Sequence, residues 1–262
     1  MSHKNVCLNC NSATTGNFCS NCGQKTDTHR ITLKHFLAHD LLHGIWHIER
    51  GILFTAKEGF LRPGKAALDY ISGKRIKYYN VFYLILIIIG LTFFVNNIYD
   101  KLFFHYYNVS NVPETNNAGK SIDHFFAEYS KIIIFSFVPV FALNSYILFR
   151  KRKLNISEHF IIAGMVFLGV MLISLISSIL YLTEFLSFFD FISRYNTIVT
   201  PFVILLFVLF NYYRTFKDDY SIGKMILKIV LFFLMFMTEI IVFMILLVGY
   251  FTNWTFVLKY VT

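Results

Sequence analysis

Leu84-Ile85-Leu86-Ile87-Ile88-Ile89 is the centre of an apolar run that extends over residues 79–99. An α-helix rises about 1.5 Å per residue, so roughly 20 apolar residues cross the hydrocarbon of a bilayer. Four more runs of that kind follow, at 131–149, 160–182, 195–213 and 225–250. Composition points the same way. Of 262 residues, 56% are hydrophobic and 15% charged, with 31 Phe and 16 Tyr, whereas a soluble domain is about 45–50% apolar and about 25% charged. Intrinsic disorder, a collagen-like rod and a disulfide-stapled secreted domain are excluded. The expected body of the protein is an all-α integral membrane bundle of five transmembrane helices over residues 79–262.

Orientation is read from Lys and Arg, which are retained on cytoplasmic flanks. Eleven of the 24 precede the first run, four form Arg150-Lys151-Arg152-Lys153, and four more (Arg214, Lys217, Lys224, Lys228) lie around the last connection. Only Lys101, Lys120, Lys131, Arg194 and Lys259 fall on the other side. The expected topology has the N-terminus in the cytoplasm and the C-terminus outside. No apolar signal-peptide region precedes the runs. The net charge of +9 is accounted for by topology and by anionic lipid headgroups. Asn155-Ile156-Ser157-Glu158 has capping-box spacing and should open the third membrane helix. Residues 108–120 read as an external loop before a helix near Ser121. Pro139 and Pro201 should kink the second and fourth spans. No internal repeat is evident.

All four cysteines lie at the start. Cys7, Cys10, Cys19 and Cys22 form C-x2-C-x8-C-x2-C, a spacing that lets four thiolates converge on one tetrahedral metal ion. Cytoplasmic thiols stay reduced, which argues against two disulfides. Residues 1–28 are therefore expected to be a small zinc ribbon whose metal supplies its folding free energy. Four protein ligands leave no position for a reactive water, so the zinc is expected to be structural. Such a ribbon presents a surface to a partner, here a protein or the rest of its own chain. Lys4, Lys25 and Arg30 are too few cations for a nucleic-acid footprint.

Residues 29–78 form a juxtamembrane region. His35, His39, His43 and His47 recur every four residues and make one slanted stripe on a helix, with Asp40 beside it and Leu37, Leu41, Ile45, Ile48 and Ile52 on the opposite face. The stripe is either a polar face at the headgroups or a second metal site. Pro63-Gly64 should break the helix before a second short one. Arg62 can grip a lipid phosphate or a partner carboxylate, or serve as topological charge, and Lys65 lies in the same turn. Lys74 and Arg75 anchor topology or touch lipid. Taken together, the zinc knuckles, the histidine-spaced helix, Arg62-Pro63-Gly64-Lys65, Gly73-Lys74-Arg75 and the membrane-edge aromatics resemble the bacterial domain of unknown function 3667 family. The resemblance covers Cys7 to Leu91 and puts Arg62, Pro63 and Gly64 on that family's most characteristic turn. It implies an N-terminal zinc ribbon followed by transmembrane helices in the bacterial inner membrane, and it carries no established activity.

Glu239, near the middle of the last run, is expensive in hydrocarbon. It carries protons or a cation, or it hydrogen-bonds a neighbouring helix through Asn144, Ser145 or Thr238. No phosphate-binding loop, nucleophile elbow or dinucleotide fingerprint occurs. The expected function is that of a membrane-embedded interaction, assembly or regulatory protein. Its partners are membrane lipids and a protein met through the ribbon. The alternatives are a lipid-acting enzyme using the histidine row, Asp40 and Arg62, and a small transporter using Glu239. Replacing His39 and His43 together by Gln separates the first two. If the stripe is a polar face, the purified double variant keeps the metal content of wild type. Loss of a second, pH-sensitive metal would establish a histidine centre, because protonated imidazole does not coordinate.

Overall fold

The computed structural model describes residues 6–26, 31, 51–107 and 117–254. The histidine row and Asp40 lie outside these residues, as does the helix expected to carry them. Seven α-helices occur among the described residues: α1 (Ile52–Leu61), α2 (Pro63–Ile71), α3 (Val81–Tyr107), α4 (Asn117–Leu148), α5 (Ile156–Tyr181), α6 (Asp190–Phe216) and α7 (Ile222–Phe251). Five helices, all but α1 and α2, are long and apolar enough to cross a membrane. They correspond one to one with the five apolar runs.

The helices outlast the runs that announce them. α3 continues to Tyr107 and α4 starts at Asn117 rather than near Ser121. Hydropathy reports only the length that tolerates hydrocarbon, whereas backbone hydrogen bonding carries a helix on into polar surroundings. Pro139 and Pro201 are both held inside continuous helices, α4 and α6.

α5 is the axis of the bundle. Its sequence has no polar stripe, which suits a helix enclosed by protein or by lipid; here protein encloses it. Every residue from Ile161 to Met171 is buried. It is enclosed by α3, α4, α6 and the short pair α1–α2. α7 packs on α4 and α6 and is exposed along most of its apolar length. The expected capping box is present: Asn155 Oδ1 accepts from Glu158 N–H at 2.9 Å, and Asn155 N–H donates to Glu158 Oε2 at 2.8 Å. Such a cap contributes about 1 kcal/mol.

The juxtamembrane pair does not lie flat beneath the bundle. α1 and α2 form a hairpin broken at Arg62, with Pro63 in the first turn of α2 where a missing N–H costs nothing. Gly59 of α1 packs on Leu168, the middle of α5, about 18 Å along that helix from its start. Gly64 of α2 packs on Asn211 and Thr215 of α6. Ala66 and Ala67 are fully buried. Small side chains let these helices approach closely. Polar atoms on the hairpin are matched: Thr55 Oγ1 accepts from Tyr79 N–H at 2.7 Å, joining α1 to the entry of α3.

The tightest approach to backbone is at Gly169, where an added Cβ would stand 2.5 Å from the Gly59 carbonyl oxygen and also strike Phe207. Gly169→Ala should therefore cost about 1–3 kcal/mol through overpacking. Gly223→Ala, with nothing within 4 Å of the new Cβ, should stay within about 0.5 kcal/mol of wild type. Thermal unfolding of the two variants in one detergent checks the contrast.

Candidate metal centre and the surface it docks on

The N-terminal module consists of two loops built alike, twelve residues apart in the chain. In the first, Cys7 N–H donates to Ser12 O at 2.9 Å and Asn11 N–H to Cys7 O at 2.9 Å. In the second, Cys19 N–H donates to Gln24 O at 2.8 Å and Gly23 N–H to Cys19 O at 2.8 Å. Antiparallel bridges close them at equivalent places, Val6 with Ala13 and Phe18 with Lys25. Asn11 and Gly23 occupy the same position and both take positive φ, 58° and 76°, a conformation that Gly and Asn adopt at least cost. The chain thus carries a short internal duplication, contrary to the sequence expectation of none. Only Cys, Asn9/Asn21 and the turn geometry are common to the two halves, too little for periodicity to reveal.

The loops bring the four sulfurs together. Their Sγ atoms lie within 4.8 Å of one another, an arrangement that could hold a metal ion. Cys7 and Cys22 are 3.6 Å apart and Cys10 and Cys19 3.5 Å, beyond the roughly 2.05 Å of a disulfide. Cys7 and Cys19 are buried, and all four are free thiols. The loops favour the thiolate at Cys10 and Cys22 and disfavour it at Cys7. The Ser12 hydroxyl and N–H bring Cys10 down to about 6. The Gln24 N–H and the Asn9 side chain lower Cys22. Cys7 also receives a favourable N–H from Cys10, but burial and the adjoining Cys22 and Cys10 sulfurs outweigh it and push Cys7 up to about 11. Asn21 Nδ2 donates to Ser12 Oγ at 3.0 Å and ties the loops together.

The module is seated on its own chain. Gln24, which ends the second loop, is buried and reaches the turn after α2. Its Nε2 donates to Gly73 O at 2.8 Å, and its Oε1 accepts from Arg75 N–H at 3.1 Å and Ile76 N–H at 3.3 Å. From the first loop, Leu8 covers Gly73. A Cβ at Gly73 would lie 2.6 Å from Leu8 Cδ1, and its φ of 101° also suits only glycine. No sequence pattern singled out Gln24, because a glutamine reads as surface until its partners are known.

The other expected site residues are separated by the fold. Arg62 makes a bidentate pair with Glu58, Nε to Oε2 at 2.6 Å and Nη2 to Oε1 at 2.8 Å, and Glu58 is buried. Lys65 is exposed on α2. At the far end of α2, Lys74 pairs with Asp69 at 2.9 Å, and Arg75 donates from Nε to Tyr70 O at 3.3 Å. These two cations therefore belong to the turn under the cysteine module and not to the Arg62 region. Glu239 on α7 accepts from Asn144 Nδ2 of α4 at 2.9 Å.

Residues 49–93 match the model of a family described as Protein of unknown function (DUF3667). The matched stretch runs through the α1–α2 hairpin, the Gly73 turn and the first half of α3. The cysteine loops lie before it. No curated protein and no solved structure matches the chain. The DUF3667 stretch is therefore the part that is wedged against α5 and α6 on one side and capped by Gln24 and Leu8 on the other.

Gln24→Ala should release Gly73 O and the Arg75 and Ile76 N–H groups. Losing three hydrogen bonds worth about 1 kcal/mol each should loosen the turn by about 3 kcal/mol. Hydrogen exchange of the Arg75 and Ile76 amides should then accelerate at least tenfold, with amides within α5 unaffected.

Proposed function

We propose that this chain is a multi-pass protein of the bacterial inner membrane with a cytoplasmic N-terminus and an external C-terminus. Its four cysteines hold one structural zinc ion. Its role is interaction, assembly or regulation rather than catalysis. The observation that carries this reading is the seating of the cysteine loops on the DUF3667 stretch through Gln24 and Leu8. A metal that folds the loops also fixes Gln24, and through it the turn that ends the hairpin.

Tetrahedral zinc with bonds of about 2.3 Å needs sulfurs about 3.8 Å apart. Separations of 3.5 and 3.6 Å approach that figure and support zinc. Four protein sulfurs leave no coordination position for water, which supports a structural ion. The sidedness is supported by the fold. Arg152 pairs with Asp219 at 2.5 Å, so the two basic loops share one end of the bundle. Arg62 opens onto the same end. Phe18 on the second cysteine loop is 63% exposed and offers a protein partner an apolar contact on the module itself. Lipids are the remaining partner, lining the outward faces of α7. The Asn144–Glu239 bond braces α4 to α7 and supports a structural role for Glu239.

The purified protein should contain one zinc per chain, and Cys10→Ser should lose it. Four freely alkylated thiols without zinc would refute the site. Cysteines introduced at Phe188 and Lys217, with native thiols blocked, should label from outside and from the cytoplasm respectively; the reverse would overturn the topology. A photoreactive residue at Phe18 should form a discrete protein adduct in cells that Cys10→Ser abolishes. Its absence with zinc in place would refute the partner role.

A further inference from the structure

Five cations from four separate parts of the chain converge on one small cavity. Arg62 and Lys65 flank the start of α2, Arg152 comes from the connection after α4, Arg214 from the end of α6 and Lys217 from the connection to α7. The cavity they line holds about 210 Å³, and among the described residues Asp218 is the only acidic one lining it. Charge retained to orient a membrane protein needs only to lie on the correct side, and mutual repulsion spreads it out. Here it is gathered instead. Two of the five are held in place from behind, Arg62 by both oxygens of Glu58 and Arg152 by Asp219. Even with those acids counted, cations outnumber anions five to three.

The shape of the cavity depends on Gly64. Any side chain there would run into Thr215, so the backbone of α2 lies directly on α6 at the cavity wall. The first-turn N–H groups of α2 have no partner within the helix, and they add to a positive field already set by the side chains. Guanidinium forks match tetrahedral oxyanions through paired hydrogen bonds, and lysines supply point charges around them. The cavity also adjoins the end of the apolar part of α6.

We propose that this cavity binds a phosphate of net negative charge, carried by an anionic lipid headgroup or as a soluble phosphate; a headgroup whose own ammonium cancels that charge does not fit. The proposal is independent of the zinc reading, since none of its residues belongs to the cysteine module.

The test uses the full-length protein in neutral detergent, titrated with phosphatidylglycerol and, in parallel, with phosphatidylcholine of the same chains. Arg214 and Lys217 are exposed, so Arg214→Gln with Lys217→Gln removes two cations without opening the core. Arg150→Gln with Lys224→Gln removes the same charge from exposed positions outside the cavity. The first pair should weaken phosphatidylglycerol binding about tenfold or more, the second less than about twofold. Lys65→Gln, at a residue that lines the cavity from α2, should weaken it as well, and serves if the first pair alters the elution profile. Excess inorganic phosphate that displaces the lipid identifies a soluble occupant; lipid retained under that challenge identifies a headgroup. Either supports the site. Equal weakening by both double variants would overturn it, as would phosphatidylcholine binding as tight as phosphatidylglycerol in wild type.

Discussion

A helix without a polar face has no surface to offer water, and α5 is such a helix. From Ile161 to Met171 it is buried on every side, and the rest of the molecule is arranged to make that so. Three long helices cannot close around it alone. The remaining arc is filled by the α1–α2 hairpin, which reaches the middle of α5 because Gly59 and Gly169 remove the side chains that would hold it off. With the long helices in a bilayer, a hairpin in this position would expose unpaired backbone to hydrocarbon unless protein surrounded it, and α5 and α6 would supply that surround.

The hairpin also links the two ends of the chemistry. At its break, Arg62 is fixed by a buried glutamate and contributes to a basic cavity. At its exit, Gly73, Arg75 and Ile76 are gripped by Gln24 of the cysteine loops. About twenty residues around four cysteines have too little core to hold such a grip without a metal. A metal held by the four cysteines would in this way couple to the order of the turn, which continues from the helix that carries Lys65.

Several polar side chains in the apolar layer pair across helices. Asn196 donates to both the carbonyl and the hydroxyl of Ser177, and Thr200 Oγ1 donates to Ser177 Oγ at 3.1 Å, joining α6 to α5. Ser145 Oγ lies 2.6 Å from His159 Nδ1, joining α4 to α5, with Phe216 stacked on the imidazole ring. Asn144 and Glu239 join α4 to α7. Each bond answers the cost of a polar group away from water, and each fixes the rotation of one helix against another, which apolar contact alone leaves loose.

Local signals were enough for the five long helices, the capping box at Asn155, the break at Arg62-Pro63 and the four-cysteine spacing, because hydropathy, caps, proline and C-x2-C turns act over a few neighbouring residues. The likeness of residues 49–93 to the DUF3667 family was equally legible in their motifs. The order of packing was not. Runs 160–182 and 225–250 look alike as strings of apolar residues, yet one is the buried axis and the other the outward wall. That difference comes from where glycines on separate helices happen to meet. Gln24 and Gly73 are 49 residues apart, and Arg62 and Arg214 are farther still. Composition and periodicity describe what each segment can bury; which distant residues share a turn or a cavity is decided only when the segments close on one another.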